Sequence, residues 1–237
     1  MVNNKRRFLL KISGELLKGD RESGLCFKSV DKFILRLKPI IDSGVQLGIV
    51  VGGGNIFRGA SGDIDGYDRR LGDQIGMMST VLNGLAILER FKSKNINAYL
   101  SSGINIDGVA DLFNLDRVED AFIKSGVVIF CGGIGNPYLS TDTTAAMRAL
   151  QIRADAVFKA TKVDGIYDSD PVKNSQAKLF NEITFDEIIQ KKLKVMDLSA
   201  MILMRDNKLK LMVFNMSNSS TLERACQGEN VGTVVKE

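Results

Sequence analysis

The chain has 237 residues, 44% of them hydrophobic and 25% charged, with a formal net charge of +4, three cysteines and no histidine. That is enough for one well-buried domain or two small ones, and it excludes a disordered class of chain, a disulfide framework, His-based acid–base chemistry and Cys/His zinc sites. Dispersed charge with one compact basic run, Lys5-Arg6-Arg7, suits a small anionic substrate without calling for nucleic acid as a main partner or for a membrane, and the spaced thiols and the absence of a signal-type apolar segment predict the cytoplasm.

Residues 8–12 read as a first strand, followed by Ser13, Gly14 and Glu15. From Ser29, the apolar residues Val30, Phe33, Ile34, Leu37 and Ile41 recur at helical spacing, with Pro39 expected to kink or disrupt that helix. Residues 45–51 form a near-continuous apolar run, the pattern of a parallel strand buried on both faces. It empties into Gly52, Gly53, Gly54, Asn55, Ile56, Phe57, Arg58 and Gly59.

Residues 73–91 predict a long helix in which Met77 and Met78 fill the core. Short strands follow at 98–100 and 127–130, with a helix ending near Lys124 between them. A second glycine-rich turn runs from Cys131 to Pro137, and Ser140 and Thr141 lead into a helix through Ile152. Residues 156–160 make another strand, then a polar loop carries Thr161, Tyr167, Asp168 and Asp170. Thr184 and Glu187 are spaced as a capping box. A helix at 197–205, a strand at 209–214, a short helix near Cys226 and a strand at 231–234 complete the chain. The alternation predicts an α/β fold, a three-layer α/β/α sandwich around a mostly parallel sheet, with no linker dividing residues 1–237.

Two glycine turns at strand ends are the chemistry of an anion site. Residues without Cβ let backbone N–H groups converge on phosphate, and Arg58 adds a permanently charged clamp. Tight turns under close packing would read the same way. Lys11, at the end of the first strand, either projects to phosphates or is a solvated lysine. Asp142 either caps the helix at 141–152 or orients Lys11. Asp73 is a helix cap or an acceptor for a substrate hydroxyl or amide. Tyr167 could pack on a base, and Asp170 could accept from an amine or ribose hydroxyl. Neither a Walker A sequence nor a G-x-G-x-x-G dinucleotide fingerprint occurs, so phosphate is bound by another geometry. Phosphoryl transfer needs chiefly positioning and charge neutralisation, which lysine, arginine, glycine amides and a nucleotide-borne Mg2+ supply without histidine.

The ordered set Leu10-Lys11-Ile12-Ser13-Gly14-Glu15, Gly52 through Gly59, Gly72-Asp73 with Gly76-Met77, residues 81–86, Gly135-Asn136-Pro137 with Thr141-Asp142, residues 159–165 and residues 194–198 resembles the bacterial uridylate kinase family, which has the amino-acid-kinase, carbamate-kinase-like fold. The resemblance spans essentially the whole chain. It implies transfer of a phosphoryl group from ATP to UMP, giving UDP and ADP, with Mg2+ accompanying ATP and with no metal ligand assigned in the protein. It places ATP against Lys11, Ile12, Ser13, Gly14, Gly54 and Arg58, with its base and ribose near Thr161, Tyr167 and Asp170. It places UMP against Gly53, Asp73, Ile134, Gly135, Asn136, Pro137, Tyr138, Leu139, Ser140 and Thr141.

In the same resemblance Lys11, Arg58 and Asp142 carry catalysis, Asp142 by orienting the lysine rather than as a base. A nucleoside-monophosphate-binding N-terminal part and an ATP-binding C-terminal part share one domain. The family is homohexameric, and UTP is implied as feedback inhibitor. Residues 19–26 match the family's GTP-responsive element only loosely, so GTP activation is not carried over. Two competing readings are an acetylglutamate- or carbamate-kinase-like activity, and a catalytically silent nucleotide sensor or regulatory RNA/DNA-binding protein.

Overall fold

The computed structural model describes residues 6–58, 68–217 and 220–237. Lys5 of the basic run and Gly59 of the glycine–arginine run lie outside the described residues. The strands are β1 (Arg7–Ile12), β2 (Gln46–Val51), β3 (Tyr99–Ser102), β4 (Asp111–Leu112), β5 (Val127–Cys131), β6 (Ala156–Thr161), β7 (Glu182–Thr184), β8 (Lys210–Asn215) and β9 (Thr233–Lys236). The helices are α1 (Glu15–Lys18), α2 (Phe27–Asp42), α3 (Arg69–Ser93), α4 (Leu115–Ser125), α5 (Thr141–Gln151), α6 (Phe185–Gln190), α7 (Leu198–Asp206) and α8 (Thr221–Cys226).

One sheet runs in the order β4-β3-β5-β2-β1-β6-β8-β9-β7. Its neighbours are parallel except for β8 and β9. The expected three-layer α/β/α sandwich with a mostly parallel sheet is therefore the observed fold. Two apolar cores form because side chains alternate across each strand. Phe8, Leu10 and Ile12 join α2, α3 and α8 on one face, whereas Leu9 joins α4, α5, α6 and α7 on the other. Leu9, Leu10 and Ile12 are fully buried, and each such side chain contributes roughly 1.5–3 kcal/mol of apolar burial.

That alternation decides where the polar residues go. Lys11 follows Leu10 and so emerges on the face of Leu9, toward α5. On β6, Phe158 belongs to the α2 face and Val157 to the α5 face, so Lys159 emerges beside Lys11. The register confirms the pairing, with Lys11 opposite Lys159 across the parallel β1–β6 ladder. Arg148, buried in α5, stacks with its guanidinium carbon 3.7 Å from the Phe113 ring centroid and fastens the helix to the segment after β4.

Several boundaries and roles differ from the expectation. Helix α2 continues past Pro39 to Asp42. Pro39 and Leu35, whose carbonyl loses its i+4 donor, both lie on the exposed side, where water can satisfy that group. Helix α3 begins at Arg69, four residues before Asp73, because Asp68 caps it by accepting from the Arg70 N–H at 2.8 Å. The cap reading of Asp73 is thereby corrected. Met77 is buried as expected, but Met78 is 44% exposed. Strands β4 and β7 were not anticipated, being only two and three residues long.

Candidate active site

The C-terminal ends of β1, β2, β5 and β6 open toward the same edge of the sheet, and the chain reverses its order of strand addition around β1. Ligands of open parallel sheets collect at such a switch point. There β1 delivers Lys11 and the turn at Ser13 and Gly14, β2 delivers Gly52, Gly53 and Gly54, β5 delivers the second glycine turn, and β6 delivers Lys159 and Thr161. The N-terminus of α5 points into the same space, and its partial positive charge favours anions.

Ser140, not Asp142, caps α5. Its hydroxyl oxygen accepts from the N–H groups of Asp142 at 2.9 Å and Thr143 at 3.3 Å. Asp142 is consequently free to lie between two ammonium groups, with Lys11 Nζ 2.7 Å from Oδ1 and Lys159 Nζ 3.0 Å from Oδ2. The three side chains are only 12–15% exposed. Burial by itself would raise the Asp142 carboxyl, but the two lysines together hold it below the ordinary carboxylate range. Burial, followed by the adjacent Lys11 charge, lowers the Lys159 ammonium in spite of Asp142. The result is two cations kept side by side by one ionised carboxylate, a carrier of net positive charge aimed at the mouth of the sheet.

A second layer fixes this triad. Lys159 Nζ also donates to the Val195 carbonyl. Asp197 caps α7, accepting from the Ala200 N–H at 2.8 Å, and takes further bonds from the hydroxyls of Ser140 and Thr143. The segment 195–197 thus ties β6, α5 and α7 together.

At the N-terminus of α5 lies a cavity of about 450 Å³ bordered by Gly53, Gly54, Arg58, Asp73, Leu139, Ser140 and Thr141. Ile134, Gly135, Asn136, Pro137 and Tyr138 do not border it. They form the turn that shapes its rim, where Gly135 has φ +87° and a Cβ would stand 2.3 Å from the Gly103 carbonyl oxygen. Tyr138 is exposed, and its N–H donates to Asp73 Oδ2 at 2.7 Å. Asp73 also accepts from Arg69 Nε at 3.0 Å. Arg58 Nε donates to the Gly54 carbonyl at 3.1 Å and its Nη2 pairs with Glu15, which lowers the Glu15 carboxyl through that hydrogen bond first.

A second cavity, of about 590 Å³, is bordered by Lys159, Thr161, Gly165, Tyr167, Asp170 and Val213. Thr161 and Asp170 are also structural here. The Thr161 hydroxyl donates to the Val163 carbonyl at 2.6 Å, and Asp170 Oδ1 accepts from the Val172 N–H at 3.0 Å. Lys159 borders the larger of these cavities, and Thr141, next to Asp142 in the chain, borders the smaller, whereas Lys11 borders neither; two cavities beside one lysine–carboxylate cluster suit a donor and an acceptor of a phosphoryl group. Ile12, Ser13 and Gly14 border neither cavity; they form the end of β1 and the turn after it, where Gly14 precedes the four-residue α1.

Sequence reading singled out Lys11 and Asp142, and the structure brings them together. It did not single out Lys159, whose partner is set by strand register rather than by local spacing. Thr80, whose hydroxyl accepts from the Gly132 N–H at 2.8 Å, and Thr144 both border the smaller cavity and were missed because the faces that α3 and α5 turn to the site are set by packing.

Residues 6–215 match the amino acid kinase family. The uridylate kinase of Psychromonas ingrahamii is 46% identical over 98% of this chain and 93% of its own length. The fold is similar to the crystal structure of UMP kinase from Ureaplasma parvum, with a TM-score of 0.92, 34% identity, and 98% and 99% of the two chains covered. It is likewise similar to UMP kinase from Bacillus anthracis, with a TM-score of 0.93, 33% identity and coverage of 98% and 96%.

Proposed function

The chain belongs to the amino acid kinase family, among its uridylate kinases, and we infer from that membership and from the paired lysines that it transfers the γ-phosphoryl group of ATP to UMP in pyrimidine nucleotide synthesis. The observation that carries this reading is Asp142 holding Lys11 and Lys159 at the end of β1 and β6, with Lys159 bordering one cavity and Thr141, beside Asp142, bordering another. A phosphate oxygen of UMP, already anionic at neutral pH, bonds to the γ-phosphorus as the bond from that phosphorus to ADP's β-phosphate oxygen breaks. No proton need be abstracted. Asp142, ionised and occupied by two cations, orients Lys11 and does not serve as the base. The lysines and the glycine-turn amides spread over the charge that develops on the transferred group.

ATP occupies the larger cavity, with its base and ribose toward Thr161, Tyr167 and Asp170, and its phosphates toward Lys11, Ser13, Gly14 and Gly54. UMP occupies the smaller one, beside Gly53, Asp73 and Thr141, with Arg58 at the junction. The N-terminal part of a single domain therefore serves the acceptor and the C-terminal part the donor. Mg2+ enters with ATP, whose phosphate oxygens supply its ligands and whose charge it neutralises. This fits a site whose central carboxylate is already held by two lysines. Among the described residues no group of three or more Asp, Glu or Cys side chains stands ready to hold a metal by itself.

The working assembly is a homohexamer in the cytoplasm. Leu71, Ile75, Met78 and Leu82 form an exposed apolar stripe along α3, and Val109, Leu112 and Leu115 form a second exposed apolar group near the β4 edge. Two separate apolar faces are what a closed hexamer built as a trimer of dimers buries. All three cysteines are unpaired, and among the described residues no helix is long and apolar enough to cross a membrane. UTP, sharing the uridine and the phosphates recognised here, is the feedback inhibitor of this reading.

The test is ADP formation by the purified protein with Mg2+ and ATP while UMP, CMP, acetylglutamate and carbamate are offered separately. Turnover confined chiefly to UMP is expected. Turnover with acetylglutamate or carbamate would move the chain to another acceptor, and ATP binding without turnover would make it a sensor. For the acceptor side, Asp73→Asn raises KM for UMP about tenfold, the scale of a lost hydrogen bond to a charged group, with kcat little changed. An unaltered KM in steady-state kinetics would remove Asp73 from UMP recognition.

A further inference from the structure

Asn55 and Asn83 are a buried polar pair behind the site, 2% and 0% exposed. Their side-chain amides face each other. Asn55 Nδ2 donates to Asn83 Oδ1 at 3.0 Å, and Asn83 Nδ2 donates to Asn55 Oδ1 at 2.7 Å. The remaining donors are also used, Asn55 Nδ2 toward the Gly24 carbonyl at 2.8 Å and Asn83 Nδ2 toward the Gly52 carbonyl at 2.7 Å. A primary amide has two donor hydrogens and one acceptor oxygen, so every donor of the pair is satisfied inside the protein.

Apolar residues would fill the same space without the cost of desolvating two amides. What the amides add is geometry. Gly52 ends the apolar run of β2 and opens the first glycine turn, and Asn55 closes that turn. Asn83 lies on α3, so the pair fixes the turn against the helix. A Cβ at Gly14 would stand 2.1 Å from Asn55 Oδ1 and 2.5 Å from the Gly52 oxygen. The backbone of the β1 turn is therefore seated directly on the amide of Asn55. A third segment joins at Gly24, whose N–H donates to the Asn55 carbonyl at 2.7 Å while its own carbonyl accepts from the Asn55 side chain.

We infer that Asn55 and Asn83 act as a single positioning unit for phosphoryl transfer, setting the spacing between the two phosphate-facing turns at Gly14 and at Gly52 to Gly54, with Gly24 as its outer anchor. The inference rests on the kinase reading of the site. Neither side chain borders the two cavities, so the pair acts through the turns and not on the nucleotide. Misplacement of positioned groups by about 1 Å costs on the order of 100-fold in rate.

The experiment is a double-mutant cycle on the full-length chain: Asn55→Ala, Asn83→Ala and the double variant, with kcat referred to folded protein well below the unfolding transition. Each single variant is expected to lose at least about tenfold in kcat, and the double no more than about threefold beyond the worse single, the non-additivity of residues that work as one. A structural role alone would lower the melting temperature and leave kcat per folded molecule unchanged, and that result, or additive losses, would overturn the inference. If the alanine variants do not fold, the side-chain NH2 resonances of the wild type give the answer. Slow solvent exchange and shifts on addition of a non-hydrolysable ATP analogue are expected, whereas fast exchange or unmoved shifts would overturn it. An inactive wild type would count against the kinase reading, while an active wild type with unaltered variants would count against the pair alone.

Discussion

Lys11→Met lowers kcat for UMP phosphorylation by about 10³-fold, the upper end of what one preorganised charge donor contributes to a transition state. The side chain leaves β1 on the α5 face and ends 2.7 Å from Asp142 Oδ1, 12% exposed. Methionine fills nearly the same volume but cannot stabilise charge on the transferred group. The fold should survive, because removing Lys11 relieves its repulsion of Lys159 and leaves Asp142 with the partner 3.0 Å away. The signature is a fall in kcat and kcat/KM together, the mark of an interaction made in the transition state. Initial rates at saturating ATP and UMP, with circular dichroism as a control for folding, check it. An unchanged kcat would remove Lys11 from the reaction.

Asp142→Asn combines a rate effect with a stability effect. Two ammonium groups remain side by side with no carboxylate between them, so Lys11 loses its orientation and kcat falls about 10²-fold or more. Breaking a buried ion pair by removing one partner costs about 3 kcal/mol, near the lower limit here because some solvent reaches all three side chains. The pH dependence follows from the depressed Asp142 carboxyl. A carboxylate with a lowered folded value contributes stability that is complete above its ordinary value of 3.8 and is lost as pH falls through the folded value. Chemical denaturation should therefore show the full difference between wild type and Asp142→Asn at pH 7, and a shrinking difference below about pH 4. A difference independent of pH would mean that Asp142 does not owe its role to its charge.

Much of this architecture was legible because its central strands are short, almost wholly apolar and separated by helices with clear periodicity. Residues of β2 are buried without exception, and a run of that kind can be read locally. The strands that escaped are β4, both of whose residues are exposed, and β7, which lies at the other edge. Edge pairings that bury little leave little hydrophobic pattern. The apolar residues of α3 were legible as helix but not as faces: Met77 turns inward, while Met78 and Leu82 turn outward. Composition alone does not separate a buried stripe from an exposed one.

The candidate site was legible where glycine turns and charged residues share a local segment, as at Lys11, Gly52 to Gly54 and Arg58. It was not legible where two distant segments have to be brought into register. Lys159 sits in the middle of β6 and acquires meaning only opposite Lys11. Asn55 was visible as part of the glycine turn, but its partner Asn83 is 28 residues away on α3. Asp142 had two local readings, and the choice between them came from Ser140 taking over the cap.

The most direct test of the account is a single-turnover reaction of the protein in excess over ATP labelled in its γ-phosphoryl group, with Mg2+ and UMP. The label is predicted to appear in the β-phosphate of UDP, mole for mole with ADP, and to stay in ATP when UMP is omitted. Label released as inorganic phosphate, or no UMP-dependent loss of ATP by folded protein that binds both nucleotides, would contradict it.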